Sequence, residues 1–215
     1  MNGLTQFDGN LLIGIQDTLN ADWLTPIMKG ITYFGEGGYF WMAMCLLLLI
    51  FKRTRRLGIV CTLSLMFTFI CCNLVIKPTV DRLRPWETFS AVQHLLPDPG
   101  DASFPSGHSA NAMGPAWGLF VATKPRKVGS RKSYDGLPGL GWRGATVDAR
   151  KAHGWATAAV ILAVLIGISR LYLGMHYPTD VICGLLLGMI CATVVYWVIR
   201  KIEAKRGVIG EGKTA

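Results

Sequence analysis

The 215-residue chain has room for one or two domains, but only 16% of it is charged and 51% is apolar, which fits a small polytopic membrane protein better than a soluble domain. Its net charge of +9 does not call for a nucleic-acid partner, because most basic residues cluster at the ends of apolar runs. Six cysteines (Cys45, Cys61, Cys71, Cys72, Cys183, Cys191) lie inside such runs without C-x-x-C spacing, which argues against a zinc site or a disulfide framework.

The first 36 residues carry two apolar stripes. Phe7, Leu11, Leu12, Ile15 and Leu19 recur at helical spacing, with Asp8, Asn10 and Asp17 on other faces. Trp23, Leu24, Ile27, Met28, Ile31 and Phe34 do the same against Thr25, Lys29 and Thr32. Such stripes predict amphipathic helices lying in the membrane interface over residues 1–36. The alternative is that residues 23–35 cross as a short sixth span. No secretory signal is read, because Lys29 is the first basic residue and no apolar core precedes it.

Five spans follow. Residues 37–51 are short and strongly apolar, and residues 57–76 are twenty residues without a charge, about 30 Å as a helix. Residues 102–123 hold His108 as their one ionisable group. Residues 154–169 continue apolar to 173 past Arg170, and residues 181–199 form a further uncharged run. The predicted fold is all-α, a polytopic bundle of five or six transmembrane helices. Its parts are interfacial helices at 1–36, a transmembrane domain at 37–200 and a basic cytoplasmic tail at 201–215. A loop at 124–152 joins the third and fourth spans.

Lys52, Arg53, Arg55 and Arg56, the 124–152 loop, and Arg200 with the tail hold all but five of the 22 basic residues. Counting spans puts the three clusters on one side, cytoplasmic by the positive-inside rule. The remaining five are Lys29, Lys77, Arg82, Arg84 and Arg170. Four of them fall on the opposite face, where insertion does not account for them and function is the better reason.

Three motifs share that face. Lys77-x6-Arg84-Pro85 places two cations seven residues apart, on one side of a helix if the helix continues, with Pro85 and Trp86 suiting a stop. Alone, the pair would pass for interfacial snorkelling. Pro105-Ser106-Gly107-His108 reads as a helix start, with Ser106 as cap and Gly107 letting free amides approach an anion. Alone, it would be an ordinary N-cap. In Ser169-Arg170-x5-His176-x3-Asp180, Pro178 implies a turn into the last span. Asp180 could orient the His176 ring, and Arg170 could fork onto phosphate oxygens, or Arg170 and Asp180 could simply pair. No Asp/Glu cluster suited to Mg²⁺ or Zn²⁺ is visible, so neither metal nor cofactor is expected.

Jointly, K-x6-R-P, P-S-G-H and S-R-x5-H-x3-D resemble the signature of the type 2 phosphatidic acid phosphatase (PAP2) superfamily, over roughly residues 37–200. The resemblance implies a metal-independent membrane phosphatase. In it His176 attacks phosphorus to form a phosphohistidine, Asp180 holds its ring, and His108 protonates the leaving oxygen and then activates water. Lys77, Arg84, Ser106, Gly107 and Arg170 would bind the phosphate. The implied partner is a phosphorylated lipid, undecaprenyl diphosphate foremost, at the extracytoplasmic face. Phosphatidylglycerophosphate, phosphatidate and lipid phosphotransfer are the alternatives, with a non-catalytic anion-binding membrane protein a remote one.

Overall fold

The computed structural model describes residues 3–124, 126–128, 131–133 and 149–205. Most of the predicted 124–152 loop, and residues 206–215 of the predicted tail, lie outside the described residues. In chain order the helices are α1 (Gly3–Leu19), α2 (Leu24–Tyr33), α3 (Tyr39–Ile50), α4 (Arg55–Phe69) and, after a π-helical segment at Ile70–Ile76, α5 (Lys77–Val80). Then come the one-turn α6 (Pro85–Thr88), α7 (Gly107–Thr123), α8 (Ala149–Tyr172) and α9 (Pro178–Lys205). Apart from a hairpin of two three-residue strands between α7 and α8, the described regular structure is helical, as predicted.

Among the described residues, four stretches are long and apolar enough to cross a membrane: Leu24–Ile50, Arg55–Thr88, Arg150–Tyr172 and Pro178–Lys205. The predicted 102–123 span is the 17-residue α7, which begins only at Gly107 because Ser106 caps it. The first stretch joins α2 to α3 through a bend where Gly37 and Gly38 take φ of 54° and 69°, so the predicted boundary at residue 36 falls inside it.

Helix α7 forms the axis of the bundle. A Cβ at Gly184 would lie 2.6 Å from Ser106 O, and one at Gly188 2.7 Å from Ala110 O, so Gly184-x3-Gly188 lets α9 touch the α7 backbone. On its other side, Cβ atoms at Gly114 and Gly118 would lie 2.6 and 2.8 Å from the hydroxyls of Thr68 and Ser64 on α4. Large apolar side chains such as Leu46, Leu74, Ile190 and Trp197 are exposed on the outside, as lipid-facing surface requires.

The bundle has two unlike ends. At one, Arg56 pairs with Glu203 and Thr123 meets His153 at 3.2 Å, near the basic flanks of α4, α8 and α9. At the other lie the N-termini of α7 and α9, the C-terminus of α8 and segment 81–106. Helix α1 packs at this second end. It turns Phe7, Leu11 and Leu19 outward and buries Asp8, Leu12 and Gln16. The Gln16 amide donates to Gln93 O at 2.8 Å and Tyr172 O at 3.2 Å. Asp8 and Gln16 of α1 therefore face the protein, while Gln6, Asn10 and Asp17 and much of the apolar stripe face out.

Candidate active site

Lys77 and Arg84 do not share a continuing helix. Helix α5 ends at Val80, Asp81 turns the chain in the left-handed region (φ 45°), and Arg84 is extended (ψ 159°), as the residue before a proline prefers. Pro85 opens the one-turn α6 instead of stopping a helix. The two cations still converge. Lys77 and Arg84 both pair with the Asp101 carboxylate, Arg84 Nε donates to Asp101 O at 2.8 Å, and Arg84 Nη1 donates to Met175 O at 2.8 Å. Both side chains are almost fully buried. Immediately before Lys77 the π-helical segment brings Asn73 beside Gly107, a geometry frequent at functional sites.

The PSGH segment behaves as the spacing predicts. Ser106 caps α7, its Oγ accepting from Ser109 N at 3.4 Å, and Ser106 N donates to Asp180 O at 3.0 Å. A Cβ on Gly107 would meet Asn73 Oδ1 at 2.9 Å, so a bare α-carbon is what lets the Asn73 amide lie against this helix start, with Lys77 Nζ 3.9 Å from the same point. His108 Nε2 lies 3.3 Å from Glu36 Oε2. Gly35 makes room for that ring, since a Cβ there would sit 2.9 Å from His108 Cδ2.

The third motif spans the α8–α9 turn. Gly174 makes it possible: its φ is 70°, and a Cβ would come within 2.2 Å of Gln93 O. Arg170 is 2% exposed, donates to Thr32 Oγ1 at 3.2 Å, and keeps its buried Nε without a hydrogen-bond partner among the described residues. A buried guanidinium with an open donor suits an incoming anion. His176 Nδ1 lies 3.6 Å from Asp180 Oδ2, long for a hydrogen bond, and Ser103 Oγ fills the join: it donates to Asp180 Oδ2 at 2.5 Å and sits 3.5 Å from His176 Nδ1. Burial, against the pull of Asp180, holds the His176 pKa down at about 3, so the ring is neutral near pH 7.

All eight predicted residues, Lys77, Arg84, Ser106, Gly107, His108, Arg170, His176 and Asp180, thus meet at one end of the bundle. Arg170 does not pair with Asp180. That place belongs to Arg82, whose Nη1 donates to Asp180 Oδ1 at 2.6 Å and whose Nη2 donates to Asp8 Oδ2 at 2.8 Å. Arg82 also lies 3.8 Å over the Tyr177 ring. Asp8 is fully buried and accepts from Thr179 N at 3.1 Å. Arg82, Asp8, Ser103, Asp101 and Glu36 are site residues that the motifs do not contain. Arg82 did carry a signal, as a basic residue on the face where insertion does not account for it. Asp8 stood with Asn10 and Asp17 off the apolar stripe of the first helix, in no motif, and Asp101 and Ser103 lie just ahead of the PSGH segment.

Beside the cations opens a cavity of about 630 Å³. Its walls are Met42, Leu46 and Leu49 of α3 and Leu65, Met66 and Phe69 of α4, and it ends at Lys77, Asp101, Gly107 and His108. Met42, Leu46, Met66 and Phe69 are exposed on the flank of the bundle, so the cavity is a groove open to the side. Three buried cations and a helix start can bind an anion with several oxygens, and two imidazoles beside them can attack it and transfer protons.

Residues 58–204 match the PAP2 superfamily. An undecaprenyl-diphosphatase of Sulfolobus acidocaldarius is 34% identical over 77% of this chain and 66% of its own length, so the chain spans about two thirds of that relative. Phosphatidylglycerophosphatase B of Bacillus subtilis is 31% identical over 87% of this chain and 81% of its own. The crystal structure of a transmembrane PAP2-type phosphatidylglycerolphosphate phosphatase from Bacillus subtilis superposes with a TM-score of 0.69 at 26% identity, covering 94% of this chain and 89% of that one. With more than half its length matched and the signature complete, the chain belongs to the PAP2 superfamily.

Proposed function

We propose that this protein is a membrane lipid phosphatase that hydrolyses undecaprenyl diphosphate, or a lipid phosphate or diphosphate of similar build, at the extracytoplasmic face. Hydrolysis of a phosphate ester or diphosphate is the coarse part of this reading and follows from the family and from relatives named as phosphatases. The observation that carries the lipid part is the groove between α3 and α4, whose apolar flank leads to Lys77 and His108. A phosphate at its closed end would leave the attached hydrocarbon chain between the helices, on the lipid side.

In this reading His176 attacks phosphorus through Nε2, since Nδ1 is turned to Ser103 and Asp180. Its neutral state near pH 7 is what a nucleophile needs. His108 protonates the leaving oxygen and then takes a proton from the water that hydrolyses the phosphohistidine. Lys77, Arg84, Arg170, Ser106 and the Gly107 amide hold the phosphoryl oxygens as charge develops. A phosphatidylglycerophosphate substrate is the second reading, supported by the Bacillus subtilis relative and its fold match.

The test is phosphate release by purified protein across a panel of polyprenyl diphosphates, phosphatidylglycerophosphate and phosphatidate. A kcat/KM at least tenfold higher for the polyprenyl diphosphate is expected. A preference for phosphatidylglycerophosphate selects the second reading, and phosphorylated acceptor in place of free phosphate would indicate transfer. His176→Ala and His108→Ala should abolish release without unfolding the protein in detergent.

A further inference from the structure

Two of the three cations assigned to phosphate already hold an anion, and the chain itself supplies it. The Asp101 carboxylate places one oxygen on Lys77 Nζ and the other on Arg84 Nη2, while its backbone carbonyl accepts from Arg84 Nε. With Arg84 Nη1 on Met175 O, the protein occupies every nitrogen of that guanidinium. Arg170 differs, because its buried Nε stays open. Asp101 is also the least secured member of the cluster. It lies in the irregular segment between α6 and α7, one residue after Gly100 (φ 68°), and its side chain is 46% exposed, against 9% for Lys77 and 3% for Arg84. It lines the polar end of the groove with Lys77, Gly107 and His108.

From this arrangement we infer that Asp101 is a built-in competitor for the phosphate seat, which a substrate phosphate must displace from Lys77 and Arg84. The inference rests on the phosphatase reading of the same site. Displacement costs every anion the same, so only an anion held by the two cations more strongly than the carboxylate occupies the seat. Return of the carboxylate would also help expel inorganic phosphate after each turnover. Burial pushes the Asp101 pKa up, but Lys77 and Arg84 outweigh it and keep the group below the usual carboxylate range, so the competitor is charged near pH 7.

The experiment compares wild type, Asp101→Asn and Asp101→Glu in detergent, measuring orthovanadate and inorganic phosphate affinity by calorimetry and hydrolysis of farnesyl diphosphate and phosphatidate. In Asp101→Asn both anions should bind at least tenfold more tightly. Values of kcat/KM for diphosphate and monoester should rise together, leaving their ratio within about twofold because the displacement cost is common to both, and Asp101→Glu should stay near wild type. A carboxylate that merely props up Lys77 and Arg84 predicts the reverse: weaker anion binding in Asp101→Asn. Unchanged or weaker binding in a folded Asp101→Asn protein overturns the inference, while absence of phosphate release from any lipid by wild type overturns the phosphatase reading. The calorimetric comparison decides the role of Asp101 in either case. If Asp101→Asn does not fold, Asp101→Ser serves for the same measurement.

Discussion

Arg82, partly buried, pairs with the fully buried Asp180, Nη1 lying 2.6 Å from Oδ1, and it is Arg82 and not Arg170 that neutralises the carboxylate behind His176. Removing one member of a buried pair leaves a charge without compensation and costs about 3–5 kcal/mol. Arg82→Met should therefore lower the thermal midpoint in detergent by several degrees and reduce kcat about a hundredfold or more, through a misplaced Asp180. Asp8→Asn keeps the shape of the second partner and should cost less on both counts. Equal kcat in wild type and Arg82→Met would dissociate Arg82 from the catalytic pair.

The sequence foreshadowed the Asp180 partner only in part. Local patterns sufficed for α4, α8 and α9, whose uncharged runs are long enough to cross, and for the Ser106 cap, because capping and hydrophobic length act within a few residues. The three motifs could be brought to one end because alternating span ends fix which face each occupies. The turn at Asp81 could not be read this way, since nothing in Pro78–Leu83 is a glycine to mark a left-handed residue. Nor could the inward face of α1. In a membrane protein an apolar stripe faces lipid as readily as it faces the core, so Asp8 looked solvent-directed until its partners, 74 and 171 residues away, were in place.

The depressed His176 pKa has a consequence for stability. Between the ordinary value of 6.5 and about 3, the unfolded chain binds a proton that the folded protein refuses. The unfolded state then carries more protons, so stability rises with pH through this window and is lost as pH falls from 6.5 toward 3. Thermal midpoints from pH 7.5 to 4 should decline for wild type and decline less for His176→Gln. Parallel slopes for the two proteins would mean that the imidazole is not held neutral by the fold.

The basic flanks of α4, α8 and α9 and the catalytic cluster occupy opposite ends of the bundle. In the orientation proposed from the positive-inside rule, the segment between α6 and α7 lies outside the cell. Replacing Pro97 by cysteine in that exposed segment, on a background with the native cysteines changed to alanine or serine, should give labelling of intact cells by a membrane-impermeant maleimide. Labelling only after permeabilisation would invert the orientation.

The groove makes a separate demand, on the hydrocarbon part of the substrate. Leu46 of α3 and Met66 of α4 wall its apolar length and are 59% and 54% exposed, away from the phosphate end. Leu46→Trp or Met66→Trp would fill the groove without touching Lys77, His108 or His176, and as exposed apolar exchanges they should change stability little. A long polyprenyl or acyl chain would then lose its seat, whereas a short, water-soluble phosphate would still reach the cations. The expected result is a rise of about tenfold or more in KM for a long-chain lipid substrate, with kcat/KM for dihexanoyl phosphatidate within about twofold of wild type. Loss of both activities in parallel would indicate that the substitutions disturb the catalytic end. Loss of neither would mean that the lipid chain approaches along another face of the bundle, because a groove that binds hydrocarbon cannot be filled without consequence for it.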